Sequence, residues 1–215
     1  MLTPYKELGM NSEKKIYCRY IKRALDISLS SILIFLLLLP MFIISVIIRS
    51  ESEGGAIFKQ RRVGRGGTPF ICYKFRTMYK NAPSQLSAAE FKDIEQYVTV
   101  SGRFLRRTSL DEIPQLFNVF MGQMSLIGPR PLICEEEDIH RRRMDSGVYE
   151  LRPGITGMAQ VSGRNALNDD DKLVGDVYYL DNIRLWLDIR ILLRTFVKVC
   201  TGEGIKAHNS DKAKK

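Results

Sequence analysis

Histidine is nearly missing from this chain of 215 residues: only His140 and His208 occur, alongside four cysteines. Cys18, Cys72, Cys134 and Cys200 lie far apart, form no C-x-x-C pair and have no histidine close by in sequence. That argues against a cysteine/histidine metal site and a disulfide framework, and the four read as unpaired thiols of a reducing compartment. Repeats are absent too, as are alternating strand–helix units long enough for a doubly wound sheet. Acidic side chains are in deficit, with 24 Asp and Glu against 33 Lys and Arg, a net charge of +9. Such an excess suits a polyanionic partner: nucleic acid, an anionic membrane surface or phosphorylated substrates. The length allows one domain plus an appendage, with an ordinary core.

What the chain does have is one long apolar run. Ile32 to Ile48 is interrupted only by Pro40 and Ser45. A cleaved signal peptide is not expected, because a mostly polar stretch precedes the run and no small-residue cleavage site follows it. As a helix it rises about 26 Å, just under the roughly 30 Å of a hydrocarbon core. Pro40 sits mid-run, where proline removes a helix hydrogen bond and clashes with the preceding turn. Basic residues flank both sides: Lys14, Lys15, Arg19, Lys22 and Arg23 before, Arg49, Lys59, Arg61, Arg62 and Arg65 after. Both flanks therefore favour the cytoplasmic face. The expectation is a re-entrant hairpin broken at Pro40, with a kinked single span and a buried core helix as alternatives.

Beyond it, Ala56–Gln60 and Phe70–Phe75 read as strands of a hairpin turned by Arg65-Gly66-Gly67-Thr68-Pro69. Ser84–Tyr97 reads as a polar surface helix. A helical run from Arg103 to Met121 is interrupted near Ser109, and a charged helix covers about Glu135–Met144. Arg184–Cys200 is helical, with Arg190, Arg194 and Lys198 at every fourth position beside apolar residues. That pattern fits either a helix lying in a membrane interface or an ordinary amphipathic helix over a core.

Two kinds of residue could carry chemistry. Ser109-x-x-Glu112 has the form of a capping box, a purely structural device, but it leaves Asp111 unexplained. A carboxylate at a helix start is kept ionised by the dipole and can attack phosphorus or hold Mg²⁺ against a diphosphate. Arg130 stands between Pro129 and Pro131, so its guanidinium is presented with little ordering cost, which suits phosphate recognition. Arg152-Pro153-Gly154 and Gly163-Arg164-Asn165 likewise pair arginines with turn residues; turn formation alone also explains their glycines.

These pieces fall into an ordered set: Lys74-Phe75-Arg76-Thr77-Met78, Ser109-Leu110-Asp111-Glu112-Ile113-Pro114-Gln115-Leu116, Asn118-Val119, Met124-Ser125-Leu126-Ile127-Gly128-Pro129-Arg130-Pro131 and Arg152-Pro153-Gly154-Ile155-Thr156-Gly157. From about Arg19 to Gly204 the chain closely resembles the bacterial sugar transferase family, the monotopic phosphoglycosyl transferases that start glycoconjugate assembly on polyprenyl phosphate. The resemblance implies that Asp111 attacks the β-phosphate of a UDP-sugar, releasing UMP, and that polyprenyl phosphate then attacks the phosphosugar-aspartate. It also implies Glu112 as an Mg²⁺ ligand, and Arg106 and Arg130 as phosphate contacts. Lys59 and Arg152 are further candidates for phosphate, Asp176 matches another active-site acid, and Pro40 matches the proline that breaks the re-entrant helix. The chain looks like the small form of the family, with no additional transmembrane helices. Leu39 stands where many relatives carry serine, and Leu167–Lys172 departs from an aromatic-containing stretch that bears on the sugar.

The fold class expected is α+β and helix-rich. Its parts are a basic segment over 1–23, a re-entrant membrane helix over 24–50, a catalytic domain with amphipathic interfacial helices over 51–201 and a disordered tail over 202–215. The place expected is the cytoplasmic leaflet of a bacterial inner membrane; a homodimer is left open. Two rivals remain. Asp169-Asp170-Asp171 would suit a metal-dependent glycosyltransferase that releases UDP, unless it only caps a helix. A basic membrane adaptor would explain +9 but not Asp111 among positioned arginines. Nucleic acid is not an expected partner, because the basic residues cluster beside the apolar run.

Overall fold

A computed structural model describes residues 10–82, 94–163 and 168–201. Most of the helix expected over Ser84–Tyr97, the Arg164-Asn165 turn and the 202–215 tail lie outside them; Ile94–Tyr97 forms a 3₁₀ turn. The chain opens on helix α1, Ser12–Glu51, 40 residues long, with a π-helical turn at Tyr17–Ile21. Asn11 starts it by accepting from the Lys14 N–H at 3.0 Å. Arg76 closes it, donating to the Ser52 and Glu53 carbonyls at 2.7 and 2.6 Å.

Pro40 lies inside this helix, and helical structure continues past it. The break expected there is thus not an interruption: proline deletes one hydrogen bond, and the turns on either side retain theirs. A buried-core reading is excluded by exposure. Only 11% of the most apolar window is buried, and Phe35 and Leu39 are 76% and 67% exposed. By length and composition this helix can cross a membrane.

One stripe of α1 faces the rest of the protein. It runs Lys22, Asp26, Ser30, Ile34, Leu37, Met41, Ile44 and Ile48, spaced three or four residues apart, so these side chains share a helix face. The stripe is polar at its start, where Asp26 accepts from the Ser125 hydroxyl at 3.0 Å and the Leu126 N–H at 2.9 Å. Lys22 and Tyr17 both donate to Asp188 at 2.7 Å. Beyond Ser30 it is apolar, and Met41 and Ile48 pack with Ala56, Phe75 and Leu105.

The expected hairpin forms, with its first strand extended to Val63: β1, Ile57–Val63, pairs antiparallel with β2, Pro69–Phe75, around a turn in which Gly66 and Gly67 take positive φ. Helix α2, Val100–Thr108, is followed by a 3₁₀ turn, Leu110–Glu112, and by α3, Gln115–Phe120, so the expected interruption falls at Ser109. Asn118 of α3 is fully buried and pins the hairpin: it accepts from the Tyr73 N–H at 3.0 Å and donates to the Ile71 carbonyl at 2.6 Å.

Short strands β3, Ser125–Ile127, and β4, Gly154–Thr156, pair in parallel. At their ends Gly154 lies against Gly128; a Cβ on Gly154 would sit 2.1 Å from the Gly128 nitrogen, so only glycine fits. Helices α4, Glu137–Asp145, α5, Met158–Ser162, α6, Asp169–Asn182, and α7, Leu185–Thr201, complete the structure. The main core gathers Leu116, Val119, Met124, Ile127, Tyr179, Leu187 and Ile191. Among the described residues the sheets are two-stranded, as a helix-rich α+β chain requires. Helix α7 buries Leu187 and Ile191 yet leaves Trp186, Leu193 and Phe196 exposed, a second apolar face that core packing does not explain.

Candidate active site

The site is built where α2 stops. Ser109 adopts φ 59°, ψ 16°, the left-handed conformation, and is the only non-glycine residue with positive φ among those described. For a residue with a Cβ this costs on the order of 1–3 kcal/mol, a strain that persists only where surrounding contacts over-determine it. It turns the chain sharply, so that Asp111 and Glu112 leave the line of α2 and enter a 3₁₀ turn ahead of α3. The capping box expected from Ser109-x-x-Glu112 does not form. The Glu112 N–H bonds the Ser109 backbone carbonyl at 3.2 Å, and the Glu112 carboxylate is directed elsewhere.

It is directed to two cations. Lys74 Nζ donates to Glu112 Oε1 at 2.7 Å and Arg130 Nη2 to the same oxygen at 3.1 Å. Burial alone would raise this carboxyl's pKa, but Lys74 and Arg130 outweigh it and hold the group well below the usual carboxylate range. The Arg130 guanidinium is held more firmly charged in return, chiefly by Glu112. Glu112 Oε2 has no hydrogen-bond partner among the described residues.

Asp111 differs from its neighbour. It is half-buried and its carboxylate has no hydrogen-bond partner among the described residues. Burial pushes its pKa up; Lys74 opposes this, the Glu112 charge adds to it, and Arg106 and Arg130 pull it back down. The dipole invoked for a carboxylate at a helix start has little part here, because a single 3₁₀ turn sums few peptide dipoles. Three nearby cations act instead.

Each cation is aimed by its own element. Strand alternation puts Lys74 of β2 on the same face as its partner Phe58, toward Glu112. Lys59 pairs with Tyr73, so it is exposed on the opposite face of the ribbon, away from Asp111 and Glu112. Arg106, in the last turn of α2, donates from Nε to the Thr77 hydroxyl at 2.9 Å. Arg130 rides on the loop after β3, which Arg62 grips by donating to the Pro131 carbonyl at 2.7 Å and Val63 by its N–H to Leu132 at 3.0 Å.

Other candidates are placed apart. Arg152 donates to the Gly122 carbonyl at 3.0 Å, past the end of α3, where Arg23 also bonds the Val119 and Phe120 carbonyls at 2.7 and 2.8 Å. Asp176 is buried in α6 and paired at 2.5 Å with Arg143 of α4, so it does not open onto Asp111. The Asp169-Asp170-Asp171 triplet is the first turn of α6: Asn168 caps it, Asp170 pairs with Arg142 and Asp169 with Lys172. That is the helix-capping role, which leaves the nucleotide-diphosphate reading of the triplet without support. Sequence reasoning had quoted Lys74 without assigning it a role; the alternation of β2 was the available signal.

Chemically, the arrangement is a carboxylate unpartnered among the described residues and set among cations, which fits attack on a phosphorus whose oxygens those cations neutralise. Among the described residues no group of three or more His, Cys, Asp or Glu is gathered for a metal. Mg²⁺ at phosphoryl-transfer sites, however, takes only one or two carboxylates and completes its shell with water and substrate phosphate. Asp111 and the unpartnered Oε2 of Glu112 fit that donor set.

Known proteins resemble this chain over most of its length. Residues 17–202 match the bacterial sugar transferase family. The chain is 40% identical over 210 residues to an undecaprenyl-phosphate galactose phosphotransferase of Salmonella typhimurium, covering 90% of this chain and 43% of that protein. It is 40% identical over 206 residues to a UDP-N-acetylgalactosamine-undecaprenyl-phosphate N-acetylgalactosaminephosphotransferase of Aeromonas hydrophila, covering 93% and 48%. A UDP-glucose:undecaprenyl-phosphate glucose-1-phosphate transferase of Caulobacter vibrioides is 37% identical over 189 residues, covering 84% and 70%. The chain thus spans just under half the length of the first two relatives.

Proposed function

The chain belongs to the bacterial sugar transferase family, and from that premise we propose that it moves a sugar 1-phosphate from a UDP-sugar to polyprenyl phosphate in two steps. In the first, an Asp111 carboxylate oxygen bonds to the β-phosphorus, the bond from that phosphorus to the bridging oxygen breaks, and UMP leaves. In the second, a polyprenyl phosphate oxygen bonds to the same phosphorus, the Asp111–phosphorus bond breaks, and the carboxylate is restored. Lys74, Arg106 and Arg130 neutralise the phosphate oxygens. Asp111 and Glu112 would hold Mg²⁺, which supplies further neutralisation of the diphosphate. One observation carries the reading: among the described residues Asp111 alone of the acidic pair keeps its carboxylate unpartnered, while Glu112 spends one oxygen on two cations.

The membrane part of the proposal is a helix that enters from the cytoplasmic leaflet and returns to it, bending at Pro40. Its support is the contact stripe, which lies on both sides of Pro40 and faces one domain throughout. Glu51, at the far end, accepts from the N–H groups that open α2. A crossing helix would place Asp26 and Glu51 on opposite sides of the bilayer, roughly 38 Å apart at 1.5 Å per residue. The exposed apolar face of α7 fits the interfacial role at the same surface.

The test is incubation of the purified protein with UDP-galactose, UDP-glucose and UDP-N-acetylgalactosamine without lipid acceptor, then peptide mass spectrometry. The expected result is UMP in solution and a phosphosugar adduct on Asp111. An adduct on another residue, or release of UDP, defeats the mechanism.

A further inference from the structure

Arg143 is 3% exposed, carries a buried ion pair, and no step of the proposed reaction uses it. Its guanidinium is divided between two partners. Nη2 donates to Asp176 at 2.5 Å, and Nη1 donates to the backbone carbonyl of Arg130 at 2.8 Å. Nε is buried without a partner. Asp176 is itself 1% exposed, so the pair is out of water on both sides.

A buried ion pair joining two helices is often only structural, and its removal in favour of apolar residues is frequently neutral. The bond to the Arg130 carbonyl sets this pair apart. The carbonyl that Arg143 grips belongs to the residue whose side chain meets Glu112, and Arg62 grips the next carbonyl, that of Pro131, from the other side. Between them the two guanidiniums hold two successive backbone carbonyls, those of Arg130 and Pro131. An arginine on a loop otherwise loses positional precision, and displacement on the order of 1 Å at a reacting group is costly.

We propose that Arg143, anchored by Asp176, is a positioning residue that holds the Arg130 backbone so that the Arg130 guanidinium stays on Glu112 and beside Asp111. The proposal rests on the reading of Asp111, Glu112 and Arg130 given above. It makes Asp176 an acid that acts through Arg143 and touches no substrate, and it adds Arg143 to the working parts of the site. The chain of contacts runs from α6 through α4 to the loop and ends on the 3₁₀ turn that bears the acidic pair.

The test is the double substitution Arg143→Met/Asp176→Leu in the full chain, assayed by UMP release from the donor the parent uses and by thermal melting. It removes both charges together and leaves neither unpaired. The expected result is a melting temperature near the parent's, an unchanged KM for the donor and a kcat lower by roughly 10–100-fold, the usual range for a lost supporting contact. In an Arg130→Ala background the same double substitution is expected to have no further effect on kcat. Arg143→Lys is the second variant: it keeps a cation on Asp176 but loses the planar fork that also reaches the carbonyl, so kcat falls while folding is retained. Parental turnover in either variant, or a loss that multiplies in full with Arg130→Ala, overturns the proposal. A parent that releases UMP from none of the three donors defeats the functional reading itself and this inference with it.

Discussion

Two carboxylate–cation groups lie a few residues apart in space along one chain of contacts, and they are finished differently. In the buried one, Asp176 and Arg143 are paired out of water, and Arg143 also holds the Arg130 carbonyl. In the half-exposed one, Glu112 takes Lys74 and Arg130 on a single oxygen, and Asp111 is left with none of them bonded to it. The same chemical parts are therefore set in two different surroundings. Asp176 is out of water with Arg143 on its Oδ2. Asp111 is half-buried, feels three cations and has no hydrogen-bond partner among the described residues.

The sharpest way to break this comparison is Asp111→Asn, which keeps shape and removes the nucleophile. Turnover should fall by about 10⁴-fold or more, as expected when a covalent catalyst is lost, with melting little changed. An amide variant within tenfold of the parent would return Asp111 to the structural class.

The buried group should fail in the opposite way. Asp176→Ala strands the Arg143 charge out of water, and losing one partner of such a pair costs about 3–5 kcal/mol of stability. Denaturant unfolding reads it directly; a loss under about 1 kcal/mol would mean that Arg143 finds water or another partner.

Between the two lysines of the hairpin the contrast should be smaller but clean. Lys74→Ala removes one of two cations on Glu112 and is expected to lower kcat/KM by roughly 10²-fold. Lys59→Ala, on the opposite face of the ribbon, should change it less than about threefold. Equal losses would show that the phosphate path runs over both faces.

The smallest effect is one of pH. The Asp111 pKa is raised by burial, and the reaction needs the ionised form, so kcat/KM should fall as pH drops through a pKa above the ordinary aspartate value of about 3.9. Glu112, held low by Lys74 and Arg130, stays ionised across that window and adds no second step. An acid limb at or below about 3.9 would mean that Lys74, Arg106 and Arg130 outweigh burial at Asp111.

Part of this was legible before any coordinates. The hairpin, the interruption at Ser109 and the apolar helix rest on local periodicity and turn chemistry, and they appear where expected. Asp111, Glu112, Arg106 and Arg130 were singled out through ordered motifs, and the structure brings these four together. What was not legible depended on contacts distant in sequence. A capping box was expected at Ser109 because its spacing fits, yet the Glu112 side chain finds Lys74, 38 residues away, and Arg130, 18 residues away. Of helix α6 only the capping triplet Asp169-Asp170-Asp171 and the lone acid Asp176 were legible, since the charged first turn masks the buried face carrying Asp176, Tyr179 and Leu180.

The hairpin, the long apolar helix, its basic flanks and the acidic pair were all legible in the chain alone, because periodicity, proline and glycine chemistry and charge act over a few residues. Only the tertiary structure decided that Lys74 rather than Lys59 faces Glu112, that Arg152 belongs with Arg23, and that Asp176 reaches the site through Arg143. The physical reason is that a charge takes its role from what solvates it. Burial, strand parity and the partner across a loop supply that solvation, and all three exist only once the chain is folded.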